Sequence, residues 1–188
     1  MAEKHYGPPE KQSRIDDSVV AAAVTGDKVA LGRIYDAYIS SIYRYHYSRV
    51  GNAADAEDLT SQTFIAVLEN LSRYKFRGYF SAWIFRIAHN KSIDLCRARQ
   101  RNLDEIPLHI AHDDNVLEKI IKGQTYEELS ALLRSLTKEE REVIRLRYVA
   151  QLSYVEIAGM LGRKEDAVRK SLKRLLERLS CQLEVQNV

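Results

Sequence analysis

The chain has 188 residues, 45% of them hydrophobic and 29% charged, with a formal net charge of +3. That length allows one domain or two small ones. So small a net charge leaves any nucleic-acid affinity to the distribution of cations rather than to their sum. Only 8 Gly and 3 Pro, with no alternating strand-like runs, argue against a β-rich chain and predict an all-α fold. Cys96 and Cys181 lie far apart, without C-x-x-C spacing or a nearby paired His, so neither a disulfide framework nor a zinc site is expected. No cofactor is expected either. There is no signal-peptide pattern and no apolar run of membrane-spanning length, which predicts a cytoplasmic protein with no membrane insertion.

Residues 1–15 carry Gly7, Pro8, Pro9 and mixed charges and read as a flexible tail. A helical pattern starts at Asp16 with Val19, Val20, Ala23 and Val24, and stops at Gly26. Asp27 can cap the next helix, which runs through Leu31, Ile34, Tyr35, Tyr38, Ile42 and Tyr45. Tyr35, Tyr38, Tyr43, Tyr45 and Tyr47 keep helical spacing with the aliphatics, which favours a core role over base stacking. Gly51 and Asn52 break the chain. The helix over about 53–71 places Leu59, Phe64, Val67, Leu68 and Leu71 on a core side, while Asp55, Glu57, Asp58, Thr60, Ser61 and Gln62 crowd its first turns. Acids there suit the helix macrodipole and also form a docking face for a basic partner helix.

Residues 73–80 interleave Arg73, Tyr74, Lys75, Phe76, Arg77, Gly78, Tyr79 and Phe80. Aromatics among cations are the composition of a single-strand platform, on which bases stack and phosphates are neutralised. Ser81 is placed to cap the following helix. Trp83, Ile84, Ile87, Ala88 and Leu95 give that helix a buried side, and for Trp83 packing competes with a base contact. Arg86, Asn90, Lys91, Arg97, Arg99 and Arg101 leave it several cations and one amide able to read a base edge. Residues 102–118 hold five acids and no Lys or Arg, so residues 102–124, with Pro107, read as an acidic linker.

A second helical unit begins near Thr125. Thr125/Glu128 and Thr137/Glu140 have the spacing of capping boxes. One helix runs through Leu129, Leu132, Leu133 and Leu136, another through Val143, Ile144, Leu146 and Tyr148. Ser153/Glu156 is a further box, and Val155, Ile157, Ala158 and Leu161 form the buried side of a short helix that Gly162 ends in a left-handed turn. The last helix carries Val168, Leu172, Leu175, Leu176 and Leu179 in one apolar stripe, with Arg169, Lys170, Lys173 and Arg174 outside it. Residues 163–178 hold seven Lys/Arg against three Asp/Glu. A short helix, a glycine turn and a basic second helix describe a helix-turn-helix. Residues 181–188 form a C-terminal tail, of which Glu184 to Val188 fray.

The stretches 55–71, 80–99 and 136–179, in this order and separation, resemble an extracytoplasmic-function RNA polymerase sigma factor of the sigma-70 family. The resemblance covers most of residues 16–180. It implies two small helical domains joined by a flexible linker: region 2 at 16–101, for core binding and −10 recognition and melting, and region 4 at 125–180, for −35 recognition. Carried over by position, Asp55, Glu57, Asp58, Gln62 and Phe64 fall on the surface toward the polymerase clamp. Phe76, Arg77, Tyr79, Phe80, Trp83, Arg86, Asn90 and Lys91 fall on the −10 side. Tyr154, Arg169, Lys170, Ser171, Lys173 and Arg174 fall on the −35 side.

The implied partners are core polymerase (clamp and flap), promoter DNA and an anti-sigma protein. Two departures stand out. Glu165-Asp166-Ala167 opens the recognition helix where the family often has a small residue beside Thr, and Lys173 stands where an apolar or aromatic residue is common. The five His show no metal or triad spacing, so no catalysis is expected. Two readings of other classes compete: a conventional helix-turn-helix regulator that does not bind core polymerase, and a protein–protein adaptor without salt-dependent DNA binding.

Overall fold

The computed structural model describes residues 15–75, 79–99 and 135–186, with side chains as far as Gln182. Seven α-helices lie among the described residues: α1 (Asp17–Val24), α2 (Lys28–Val50), α3 (Ala53–Leu71), α4 (Phe80–Arg99), α5 (Lys138–Ile144), α6 (Tyr154–Leu161) and α7 (Glu165–Gln186). There is no strand among them, in line with the all-α expectation. The 1–14 tail, the 102–124 linker, the Thr125/Glu128 box and the leucines Leu129, Leu132 and Leu133 lie outside the described residues.

Local chemistry sets most of the helix ends. The Asp27 carboxylate accepts from the backbone N–H of Val29 (2.8 Å) and Ala30 (3.3 Å) and starts α2. Gly51, at φ 66°, ends it, and the Asn52 side chain accepts from Asp55 N to start α3. Such a cap contributes about 1 kcal/mol. Both Thr137/Glu140 and Ser153/Glu156 form reciprocal capping boxes at the starts of α5 and α6. Ser81 does not cap α4: the helix already begins at Phe80, and Ser81 sits in its first turn. After α5 the backbone widens into a π-helical turn, Arg145–Val149, with Ala150 N–H bonded to Arg145 O at 2.8 Å. Gln151 then takes a left-handed φ of 54° and turns the chain toward α6.

Helices α1 to α4 bury Val20, Ile34, Tyr38, Ile42, Tyr45, Phe64, Val67, Leu71, Phe80, Ile84, Phe85 and Ala88. The C-terminal helices bury Val143, Ile144, Leu146, Leu152, Ile157, Val168, Leu172 and Leu175. All of these belong to one contiguous cluster, so the two halves share a core across their junction. A satellite of Val50, Ala56 and Leu59 is flanked by Tyr43 and Tyr47, whose rings stack at 6.1 Å. Tyr38 and Tyr45 are core, as expected, whereas Tyr35 is 47% exposed. Two aliphatics assigned to the core are outside it: Leu68 is 57% exposed and Val155 39%. Neighbouring residues of each helix satisfy the burial, so a helix can carry one apolar residue too many for its stripe.

Within the N-terminal half, His46 is fully buried between α3 and α4. Its Nε2 lies 2.9 Å from Thr63 Oγ1 and its Nδ1 2.7 Å from Ser92 Oγ. Thr63 gives its own proton to the Leu59 carbonyl, so Nε2 carries the imidazole hydrogen and Nδ1 accepts from Ser92. Burial, helped by the positive charge of Arg49, lowers its pKa from 6.5 to about 3 and keeps the ring neutral.

The junction between the halves is built on a charged hub. Glu142 of α5 is buried, and Tyr45 Oη donates to its Oε1 at 2.6 Å. His89 Nδ1 stands 2.8 Å from the same oxygen, while Arg49 pairs with Oε2 and Arg145 Nη1 lies 3.4 Å from it. Arg145 Nε also donates to Ser48 O at 3.3 Å. Burial alone would raise the Glu142 carboxyl. Hydrogen bonding from His89 and the charges of Arg49, His89 and Arg145 reverse this and hold it well below the carboxylate range. Burial, then the adjacent Glu142 charge, push the Tyr45 hydroxyl well up, so it remains a donor.

Candidate nucleic-acid and partner interfaces

The geometry of the C-terminal half follows from its two tight turns. Ser153 N–H donates to Glu156 Oε2 at 2.7 Å, and Glu156 N–H to Ser153 Oγ at 3.3 Å, fixing the entry of α6. Gly162, at φ 65°, closes α6, and Arg163 N–H reaches back to Ala158 O. Helix α7 then lays Val168, Leu172 and Leu175 into the core and leaves its opposite side in solvent. Arg169, Lys170, Lys173 and Arg174 are exposed there, with Ser171 half-buried.

Two of these cations have partners on their own helix. Arg169 Nη2 is 2.5 Å from Glu165 Oε1, and Lys173 Nζ is 3.9 Å from Glu177 Oε1. Such exposed pairs are worth little, so a phosphate can replace the carboxylate. Glu165 thus both faces the N-terminal end of α7, where an acid suits the helix dipole, and restrains Arg169.

Two guanidinium groups pack on the Tyr154 ring. Arg147 lies 4.4 Å and Arg169 5.1 Å from its ring centroid. Arg147 Nη1 also donates to Leu152 O at 2.8 Å. Tyr154 and Arg169 are legible as candidates in the sequence, but Arg147 is not. Its partner lies seven residues ahead across a turn, where helical periodicity gives no signal.

On α3, Glu57, Asp58 and Gln62 are exposed, and Gln62 Nε2 donates to Asp58 Oδ2 at 2.7 Å. Asp55 is half-buried and gripped by Arg99 through both carboxylate oxygens, at 2.5 and 2.7 Å. Hydrogen bonding from Arg99 lowers its pKa. Asp55 is thereby engaged within the chain, unlike its exposed neighbours. Phe64 is buried against Tyr35, with ring centroids 4.7 Å apart. Ile65 and Leu68 are exposed beside this acidic start. Positions 58, 62 and 65 form one stripe at helical spacing, so the surface on offer is acidic at one end and apolar at the other. That apolar extension is not legible in the sequence, where Leu68 falls on the expected core side.

Tyr79, just ahead of α4, falls in a second stripe with Trp83, Arg86 and Asn90 of the helix, at steps of four, three and four. Tyr79 and Asn90 are exposed, and Lys91 is half-buried beside them. Trp83 is half-buried, its ring 5.1 Å from Tyr74 and 5.4 Å from Phe80. Phe80 is 5% exposed and meets Tyr38 edge-on at 5.8 Å. Its ring is therefore part of the core and the support beneath Trp83, not a surface on which a base can stack. Arg86 Nη2 donates to Gly159 O of α6 at 2.5 Å. Phe76 and Arg77 lie outside the described residues. Among the described residues there is no group of three His, Cys, Asp or Glu placed to hold a metal, and no helix long and apolar enough to cross a membrane.

Comparison with known proteins bears on the whole arrangement. Residues 34–102 match the family model described as Sigma-70 region 2, and residues 126–179 match Sigma-70, region 4. The chain is 35% identical over 168 residues to the ECF RNA polymerase sigma factor BldN of Streptomyces coelicolor, covering 86% of this chain and 63% of that protein. It is 32% identical over 172 residues to the ECF RNA polymerase sigma factor SigD of Mycobacterium tuberculosis, covering 87% of this chain and 81% of that protein. Among solved structures, CnrH in complex with the cytosolic domain of CnrY superposes with a TM-score of 0.64 at 24% identity, covering 90% of this chain and 97% of that one. Two helical units carrying these matches in this order, at this identity over most of the chain, place it in a family: the chain belongs to the extracytoplasmic-function sigma factors of the sigma-70 family of RNA polymerase sigma factors.

Proposed function

We propose that the chain binds core RNA polymerase and directs promoter-specific initiation, as a cytoplasmic specificity subunit and not an enzyme. The observation that carries the reading is the pair of surfaces on one chain: the stripe of Trp83, Arg86 and Asn90 on α4 with Tyr79 just ahead of it, and the basic face of α7. The first combines a supported aromatic, a cation and an amide, which suits an unstacked base and its phosphate. The second presents cations from a helix-turn-helix, which suits duplex DNA in the major groove.

In this reading residues 16–101 form region 2 and residues 125–180 form region 4. Trp83, Arg86, Asn90 and Lys91, with Tyr79, Phe76 and Arg77 of the preceding loop, engage the melted −10 strand. Phe80 serves by supporting Trp83. Arg169, Lys170, Ser171, Lys173 and Arg174 read the −35 duplex, while the Tyr154 ring, itself packed on Arg147, holds Arg169 in place. Asp58, Glu57 and Gln62, with the adjoining Ile65 and Leu68, face the polymerase clamp, and region 4 rests on the flap. Asp55 acts through its pairing with Arg99. Modest affinities at two tethered sites combine into effective recognition. An anti-sigma protein is the expected antagonist. The likeness in fold to CnrH, which was solved with a bound partner domain, motivates that assignment.

Run-off transcription with purified bacterial core polymerase, on a pool of promoter fragments, tests the reading. Discrete transcripts that require both core and this chain support it. Absence of binding to core refutes it in favour of a conventional helix-turn-helix regulator.

A further inference from the structure

Helix α7 opens with Glu165 and Asp166, and the first of these acids has a partner. Glu165 and Arg169 stand one helical turn apart with the acid on the N-terminal side, the favourable order for such a pair. Arg169 Nη2 lies 2.5 Å from Glu165 Oε1, and the Arg169 guanidinium carbon is 5.1 Å from the centroid of the Tyr154 ring. That ring also packs on Arg147, whose Nη1 donates to the Leu152 carbonyl in the turn ahead of α6. The Arg169 head is therefore held at one nitrogen by its own helix and on one face by α6. The other cations of the exposed face are freer. Lys173 has only a 3.9 Å approach to Glu177, and Lys170 and Arg174 take part in no ion pair among the described residues.

What remains unengaged decides what this head can read. Among the described residues Arg169 Nε and Nη1 have no hydrogen-bond partner. An arginine pairs two N–H groups with O6 and N7 of guanine in the major groove, the commonest specific contact there. Residues near the start of a recognition helix are the ones that reach base edges, and Arg169 lies one turn into α7. A phosphate is the poorer partner for it. To reach Nη2 a phosphate must displace Glu165, and if Glu165 stays, two anions face one cation. Guanine offers neutral acceptors and can be met with Glu165 still in place. Leaving bulk water for the groove also strengthens the Glu165–Arg169 attraction. A side chain whose rotamer is already set loses less freedom on binding. We propose that Glu165 is a positioning residue: with the Tyr154 ring it holds Arg169 in the geometry that reads a guanine edge, so this acid sets sequence preference within the −35 element. The inference rests on the proposed −35 role of α7.

The test uses holoenzyme reconstituted from purified core polymerase and the full chain, on a promoter whose transcripts require both. Each base pair of its −35 element is replaced in turn by the other three. Relative initiation is then measured at subsaturating holoenzyme for the wild type, Arg169→Ala, Glu165→Ala and Glu165→Gln. Ratios between sequences are taken on one preparation, so any unfolded fraction cancels.

The wild type should prefer guanine at one pair by about fivefold or more, and Arg169→Ala should abolish that preference. Glu165→Ala should lose at least half of the preference at the same pair, while initiation from a scrambled −35 element holds or rises because a repelling carboxylate is gone. Glu165→Gln, whose amide oxygen still accepts from a guanidinium, should keep more of the preference than Glu165→Ala. If Glu165→Ala changes initiation by one common factor on every sequence, the acid only repels phosphates; the inference fails and the −35 role of α7 stands. If Arg169→Ala weakens all sequences alike, Arg169 sits on a phosphate and the inference fails in the same way. A wild type indifferent to its −35 sequence overturns the −35 role of α7 and the inference with it.

Discussion

Replacing His46 by Gln isolates one proton from the acid sensitivity of the fold. In the folded chain burial and the charge of Arg49 hold His46 neutral, with a pKa of about 3, against 6.5 when unfolded. The folded pKa is the lower one, so the stability it contributes is complete above about pH 6.5. That stability is lost as pH falls, because the unfolded chain takes up a proton that the folded site refuses. The slope is about 1.36 kcal/mol per pH unit across the window from about 6.5 to 3. Between pH 7 and pH 5 the wild type should lose about 2 kcal/mol through this residue alone. A glutamine can offer its amide N–H to Thr63 and its carbonyl to Ser92, preserving both hydrogen bonds without a titrating group. Urea unfolding of both chains at pH 7 and pH 5 gives the difference directly, since the acids elsewhere titrate alike in both and cancel. A wild type that loses about 2 kcal/mol more than His46→Gln confirms the reasoning. Parallel losses would refute the neutral, buried histidine.

Gly162, at φ 65° with open space around it, and Gly32, inside α2 with equally open space, should respond oppositely to alanine. Gly162→Ala should lower stability by about 1 kcal/mol through left-handed strain. Gly32→Ala should raise it by about 1 kcal/mol through helix propensity. At this chain length each corresponds to about 2–4 °C in a melting scan. Arg174→Ala should weaken −35 duplex binding and reduce the slope of log affinity against log salt by about 0.9, leaving core binding intact. A titration of fluorescent duplex against salt checks this, and loss of core binding would contradict the division of roles between the two halves. Asp58→Ala should weaken association with core polymerase measurably more than Asp55→Ala does, because Asp55 is already taken up by Arg99. Equal losses in a core-binding assay would argue against Asp58 as the contacting carboxylate.

Helix identity, the caps at Asp27, Thr137 and Ser153, and the glycine stops were legible in the sequence because they depend on residues within four positions of one another. So was the stripe of α7, whose apolar residues repeat cleanly enough to fix both its buried side and its basic side. The failures came where one helix had to choose among neighbours. Leu68 and Val155 are apolar at plausible spacing yet remain exposed, and Phe80 reads as part of an aromatic-basic run although Tyr38 and Tyr74 pack on it. Which apolar side chain is covered depends on what packs opposite, and periodicity does not record that.

The sequence by itself determined an all-helical chain, its order of elements, the helix-turn-helix and the residues of its outer face. Only the tertiary structure decided that Glu142 meets Tyr45, Arg49 and His89. It also decided that Arg99 takes Asp55 out of the acidic surface, and that α6 lies over Arg86. These contacts join residues 44 to 97 positions apart. At such separations no local spacing constrains the pairing. At the Glu142 hub the physical cause is burial: charges brought together at the junction must satisfy one another there, and the sequence does not say which surfaces will meet.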